Sequence, residues 1–220
     1  MSAELTKALA SRRTVYKLTD KSSIPDEKIR DIVEQGGKLC SMPPPILRLK
    51  RVSPVLHTPT SFNNQAIRAV VLLKEQHIRL WDIVGEVLVE RIGAERYQAS
   101  TKEKIGGFRA AYGTILYFTD TAVIDQWKLA APPYADRFAQ WADHSSGMLQ
   151  SYVWTALTVE GMGANLQHYN PIIDEKVLAE WNLPKTWVLT AQAPFGIPSP
   201  DWVTPEKKFN PIDERVKFFA

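Results

Sequence analysis

Trp141-Ala142-Asp143-His144-Ser145-Ser146-Gly147-Met148-Leu149-Gln150, running on into Val153-Trp154-Thr155-Ala156-Leu157, decides the fold. It lies in a helical pattern from about Tyr134 to Glu160, interrupted only at Gly147 and short of charge in its second half. A helix that is apolar nearly all round has no face to give to water and belongs inside. Three short apolar runs stand around it: Ala69–Leu73, Thr114–Thr119 and Trp187–Ala191. Their length and β-branching read as buried strands.

Working outward, Leu5, Ala8 and Leu9 suggest a short first helix ending near Ser11-Arg12-Arg13-Thr14. In Ser23-Ile24-Pro25-Asp26-Glu27, Ser23 is the expected N-cap, Pro25 suits a first turn, and the acids favour the positive helix end. Ile29, Ile32 and Val33 continue it at helical spacing. Residues 75–92 place Leu80, Ile83, Val84, Val87 and Leu88 on one helical face. After the third strand, the Pro- and Gly-rich run Ala193–Pro198 leads to a basic turn, Glu206-Lys207-Lys208, and Glu214–Phe219 is expected as a last strand. Helices first, then strands separated by helices, predict a single α+β domain over residues 1–220, with a central sheet and a long buried helix.

Composition narrows the function classes. A net charge of +3 is too small for a nucleic-acid stripe but leaves cations to aim at a phosphate. One cysteine, Cys40, excludes a disulfide within the chain and fits a reducing compartment. The four histidines show no ligand spacing, so no metal is expected. No apolar run approaches the roughly 20 residues of a membrane span, and the N-terminus lacks a signal-peptide core. The expected address is the cytosol, with access to the nucleus.

No standard catalytic motif is present. Glu160-Gly161-Met162-Gly163-Ala164-Asn165 is no dinucleotide fingerprint, because a third glycine and a preceding strand are missing. Three polar clusters remain. Ser11-Arg12-Arg13-Thr14 suits a phosphate, since guanidinium forks bind its oxygens in pairs, or else it is a solvated basic turn. Thr58-Pro59-Thr60-Ser61-Phe62-Asn63-Asn64-Gln65 offers donors and acceptors to a polar ring edge, or else caps a helix. Gly161–Pro171 carries closely spaced glycines that let backbone approach a flat ligand, or else ends a helix.

In this order, the clusters resemble the nitroreductase family, and within it the branch of fungal fatty-acid-repression-mutant-type proteins and related bacterial ones. The matching text is Ser11–Tyr16, His57–Gln65, Leu80–Val84, Gly113–Phe118, Trp141–Gln150, Val153–Leu157 and Gly163–Pro171. The resemblance implies a three-layer α+β flavoprotein fold with a mainly antiparallel sheet, and a homodimer with FMN at the subunit interface. It implies that Arg12 and Arg13, with Thr14 beside them, hold the FMN phosphate, together with Lys207 and Lys208. It implies that Thr60, Ser61, Asn63 and Gln65 reach the flavin from the other subunit, and that the backbone of Ala164, Asn165 and Leu166 lies against the ring. The long helix would be both buried spine and dimer surface, or core packing alone. The implied activity is reduction of nitroaromatics or quinones by NADH or NADPH in ping-pong fashion. No catalytic side chain is implied, because the flavin carries the chemistry. The alternative function is a flavin-binding regulator of redox or lipid signalling with little turnover; a helical scaffold without cofactor is disfavoured by the buried strands.

The chain departs from this pattern at residues 36–51, which hold Cys40 and Pro43-Pro44-Pro45. So long a loop is uncommon in a compact domain. It is expected to be either a surface or lid loop or a translated intron.

Overall fold

The structure is a computed structural model that describes residues 3–35 and 54–219; the expected insertion 36–51, with Cys40, lies outside the described residues. The chain opens with α1 (Ala3–Ser11) and α2 (Asp26–Arg30), the latter prolonged by a π-helical turn over Asp31–Gln35. After α3 (Pro54–His57) and a 3-10 turn at Ser61–Asn63 come β1 (Ile67–Leu73), α4 (Lys74–Ile92), α5 (Ala94–Ser100), α6 (Lys102–Arg109) and β2 (Gly113–Asp120). Next are α7 (Thr121–Ala130), a 3-10 turn at Pro132–Tyr134, α8 (Phe138–Val159), β3 (Gly163–Ala164), α9 (Asp174–Glu180), β4 (Trp187–Gly196) and α10 (Ile212–Arg215). The sheet has the order β1-β2-β4-β3 with every pair antiparallel.

Helices cover both faces of the sheet. Ile115 and Tyr117 of β2 pack with Ile29, Ile32 and Leu149, Val153 and Leu157 of α8. Leu116 and Phe118 point the other way, to Leu80, Trp81, Val84 and Val177 of α4 and α9. β2 therefore alternates between two apolar layers and is buried throughout. In β4, Leu189 faces the α4 layer, whereas Ala191, Ala193 and Phe195 face α8. Residues two apart share a face in a regular strand. The register against β2 slips between Tyr117↔Ala191 and Phe118↔Leu189, so Thr190 is the extra residue of a bulge. Its hydroxyl donates to Tyr117 O at 3.0 Å.

The structure corrects several expectations. Ser23 is no N-cap: its hydroxyl donates to Glu160 O at 2.5 Å, tying the start of α2 to the end of α8, and Pro25 precedes the helix instead. Gly147 does not interrupt α8. A mid-helix glycine costs about 1 kcal/mol, which the buried flank of α8 offsets. The third strand runs on to Gly196 through Pro194, whose carbonyl still accepts from Asn165 N at 3.2 Å. The expected last strand at Glu214–Phe219 is instead the end of a single helical turn followed by chain that pairs with no strand among the described residues.

Two-residue β3 was not legible in the sequence, and it positions the first cluster. Thr14 forms a parallel bridge with Ala164, and Val15 N donates to Ala164 O at 3.0 Å. The approach is so close that a Cβ on Gly163 would meet Val15 Cβ at 2.9 Å and Leu18 Cδ2 at 3.1 Å. Gly163 thus serves the fold directly. Gly161, at φ +82, closes the end of α8 with its N–H on Thr158 O.

His77 of α4 is buried at 1% exposure and locked between β2 and α6. Its Nε2 lies 3.1 Å from Arg109 O, which can only accept, so that nitrogen carries the proton. Its Nδ1 accepts from Thr114 Oγ1 at 2.8 Å, and that hydroxyl accepts from Trp81 Nε1 at 3.0 Å. Burial above all lowers the His77 pKa to about 4.

Two predictions follow from this packing. Gly163→Ala lowers the urea midpoint by the equivalent of about 1–3 kcal/mol; an unchanged midpoint would show that Val15 moves aside freely. For His77, the unfolded chain takes up its proton first as pH falls, so its contribution is whole above about 6.5 and lost toward about 4. The difference is roughly 3 kcal/mol. Urea titrations at pH 7.5 and 4.5 should therefore show a smaller acid loss for His77→Gln than for the wild type, and equal losses contradict the account.

Candidate functional site

α1 ends when Ser11 turns its hydroxyl back to Ala8 O at 2.9 Å. The chain then straightens to bridge Ala164, which fixes the backbone of Arg12, Arg13 and Thr14. Asn165 locks it from the other side: its Nδ2 donates to Val15 O at 2.8 Å, and its Oδ1 accepts from Gln167 Nε2 at 2.8 Å. Gln192 extends this amide network, accepting from Tyr169 N at 2.7 Å and donating to Asn170 Oδ1 at 3.1 Å. The polar residues after Gly163 hold the site's backbone in place, and each buried amide has a partner.

The two arginines are restrained without being neutralised. The Arg12 guanidinium carbon lies 4.4 Å from the centroid of the Trp154 ring. Arg13 Nη2 donates to Pro205 O. Arg68, Arg79 and Arg109 instead pair with the carboxylates of Asp120, Glu86, Glu180 and Asp82, while the ion pairs found among the described residues use neither Arg12 nor Arg13. Because Pro205 is held by Arg13, the backbone of Lys207 and Lys208 lies within about 7 Å and about 11 Å of it, the span of two and three residues. Lys17 Nζ pairs with Asp201 at 2.6 Å, and Trp202 packs on Val15 and Leu18, so the tail is pinned on both sides of the cluster. The Lys17 bond holds the Asp201 carboxyl below its ordinary range. Lys207 is exposed with its Nζ 5.2 Å from the Phe209 ring, and Lys208 is exposed.

The trio expected to lie against the ring differs in exposure. Ala164 and Asn165 are each only 1% exposed, because both are committed to the Thr14–Val15 segment and to β4. Leu166 is half-buried and is the member of the trio with surface to offer.

Thr60, Ser61, Asn63 and Gln65 lie elsewhere. Thr60 Oγ1 accepts from Gln65 N at 3.0 Å, and Gln65 Nε2 donates to Asn63 O at 3.3 Å. Phe62, Asn63 and Gln65 all have φ between 53° and 55°, a region that costs a non-glycine residue about 1 kcal/mol or more. The Phe62 ring holds this tight loop, sitting 5.5–6.3 Å from the rings of Trp127, Tyr134, Phe138 and Trp141. The Asn63 and Gln65 side chains are left exposed. This loop packs near Trp141 at the start of α8, and Arg12 packs on Trp154 near its end. At 1.5 Å per residue the two lie about 20 Å apart along the helix. One copy of the chain sets Thr14 against Ala164, Arg12 over Trp154 and Arg13 on Pro205, and holds the Thr60 set toward the other end of α8.

Among the described residues no group of three or more histidine, cysteine, aspartate or glutamate side chains is gathered as for a metal ion. Likewise, no described helix is long and apolar enough to cross a membrane. The Trp154 stack and the Pro205 carbonyl were not anticipated as parts of the site. Trp154 was legible only as part of an apolar helix, and a backbone carbonyl carries no side-chain signal.

Residues 9–197 match the nitroreductase family. HBN1 of Saccharomyces cerevisiae is 37% identical over 202 residues, covering 90% of this chain and 91% of that protein. Among solved structures, the nitroreductase CinD of Lactococcus lactis in complex with chloramphenicol has a TM-score of 0.82 at 35% identity, covering 98% of this chain and 100% of CinD. A nitroreductase of Desulfovibrio desulfuricans in complex with FMN shares the fold, with a TM-score of 0.63 at 17% identity over 100% of this chain and 98% of that one. With its α+β fold and its match over most of the sequence, this chain belongs to the nitroreductase family.

Proposed function

We propose that two copies of the chain bind FMN between them and use it to reduce nitroaromatic or quinone acceptors with NADH or NADPH. The observation that carries this reading is the basic cluster of Arg12, Arg13, Lys207 and Lys208, whose two arginines are fixed by neutral partners. Cations left uncompensated and pre-oriented fit a phosphate dianion, which takes charge-assisted bonds. The fold neighbour solved with FMN and the CinD complex with chloramphenicol support the same cofactor and acceptor class.

In this reading Arg12, Arg13 and Lys207 grip the phosphate, with Thr14 and Lys208 alongside. Leu166 gives the ring an apolar bed supported from behind by Ala164 and Asn165. Thr60, Ser61, Asn63 and Gln65 of a second copy meet the polar ring edge, which accounts for their distance from Arg12 in the first. The rings around Phe62 exclude water beside them. FMN, once bound, supplies the two-electron exchange between pyridine nucleotide and acceptor. Both substrates then use one open place in turn, which gives ping-pong kinetics, and no side chain is needed as nucleophile.

Three features support a second copy. Gly147 sits on the exposed flank of α8 with Asp143, His144 and Ser151, and a Cβ there would meet nothing within 4 Å. Packing within the chain thus gives no reason for a helix-weakening glycine, whereas close approach of another helix does. Among the described residues β1 pairs on one side only. The tail beyond Trp202 exposes Phe209, Ile212, Val216, Phe218 and Phe219, a run of apolar groups costly to leave in water.

The purified protein should be a yellow dimer that oxidises NAD(P)H when 4-nitrophenol is added, with parallel double-reciprocal lines. Arg12→Ala combined with Arg13→Ala should weaken FMN binding about 100-fold, the loss of two charge-assisted bonds. Wild-type protein that takes up no FMN contradicts the proposal; FMN uptake without turnover would favour a flavin-binding regulator.

A further inference from the structure

Arg12 is half-buried at the end of a helix, and a free arginine side chain there would sample many rotamers. Among the described residues its side-chain restraint is the Trp154 ring, 4.4 Å from the guanidinium carbon. We infer that Trp154 is a positioning residue for the phosphate anchor, aiming Arg12 at the FMN phosphate while leaving its charge and its donors free. The inference rests on the flavin reading above.

The argument is one of geometry. A guanidinium has five N–H donors, all in its plane. A carboxylate partner, such as Asp82 for Arg109, takes two of them at 2.8 and 3.3 Å and cancels the charge. An aromatic face holds the guanidinium through its flat side instead, so the in-plane donors remain for an anion. Trp154 is itself well fixed: it packs against the α8 core cluster beside Val153 and Leu157, in the same layer as Ile29 and Leu149. Its position in mid-turn of a rigid helix makes it a stable platform for the mobile side chain. The indole Nε1 is buried and has no hydrogen-bond partner among the described residues, so the ring is not retained for a polar bond within the chain.

The test compares FMN with riboflavin, which lacks the phosphate. Dissociation constants are measured by flavin fluorescence quenching on the apoprotein for the wild type, Trp154→Phe and Trp154→Leu, with melting temperatures as a check on folding. Removing the ring should weaken FMN binding about fivefold, the scale of one cation–π contact. Riboflavin affinity should stay within about twofold, and Trp154→Phe, which keeps an aromatic face, should restore most of the FMN affinity. Trp154→Met, closer in volume, replaces Trp154→Leu if the latter does not fold. Equal losses for both flavins would make Trp154 a packing residue and overturn the inference. So would undiminished FMN binding in Trp154→Leu, or a Trp154→Phe protein as weak as Trp154→Leu, which would assign the effect to the indole N–H. If wild-type protein binds neither flavin, the flavin reading itself falls and takes this inference with it, an outcome distinct from a flavin-binding protein indifferent to Trp154.

Discussion

The seam between Thr14–Val15 and Gly163–Asn165 is the constraint on which the site depends. It joins residues some 150 positions apart in sequence through one backbone bond, one bridge and one buried amide. It closes only because position 163 has no Cβ, since Val15 occupies the space where one would stand. With the seam closed, Arg12 falls over Trp154 and Arg13 reaches the Pro205 carbonyl, two and three residues before Lys207 and Lys208. Open, the same cations would be scattered along a helix end and a solvated tail, where each is worth little to an anion.

The length of α8 imposes the second constraint. Its start carries the Phe62 loop and its end carries Arg12, and a rigid helix of this length cannot bring the two together. The strained loop at Thr60–Gln65, packed through Phe62 on four aromatic rings, holds the exposed Asn63 and Gln65 side chains firmly in place. The exposed flank of α8, the open edge of β1 and the apolar tail are likewise unfinished surfaces in a single copy. Under the pairing proposed above, a second copy covers all of them and each copy supplies half of two sites.

Much of this was legible in the sequence where local pattern dominates. The apolar runs at Ala69, Thr114 and Trp187 became β1, β2 and β4, because short β-branched stretches buried on both sides have little alternative. The charge-poor helix around Leu149–Leu157 buries Leu149, Val153 and Leu157 on one face of α8, while Ser151 and Tyr152 stay exposed on the other. Arg12 and Arg13 are held by an aromatic ring and a backbone carbonyl, with no carboxylate pairing them among the described residues. What stayed hidden depends on contacts distant in sequence. β3 is two residues long and exists only because β4 and Thr14 flank it. Ser23 has the chemistry of a cap, yet a closer acceptor at Glu160 claims it. Ala164 and Asn165 look like ligand contacts from their glycine-rich setting, but tertiary pairing buries them. Val216–Phe219 has strand-like residues and pairs with no strand among the described residues.

The most direct test of a site shared between two chains is subunit complementation. One variant carries Arg12→Glu and Arg13→Glu; the other carries Asn63→Ala and Gln65→Ala. Each homodimer should bind FMN weakly, since every site is damaged. Mixed dimers, isolated with two different affinity tags, should regain one tight FMN per dimer, because one of the two sites combines the intact halves. Mixed dimers no better than their parents would show that both residue sets serve a single chain, and the account would fail.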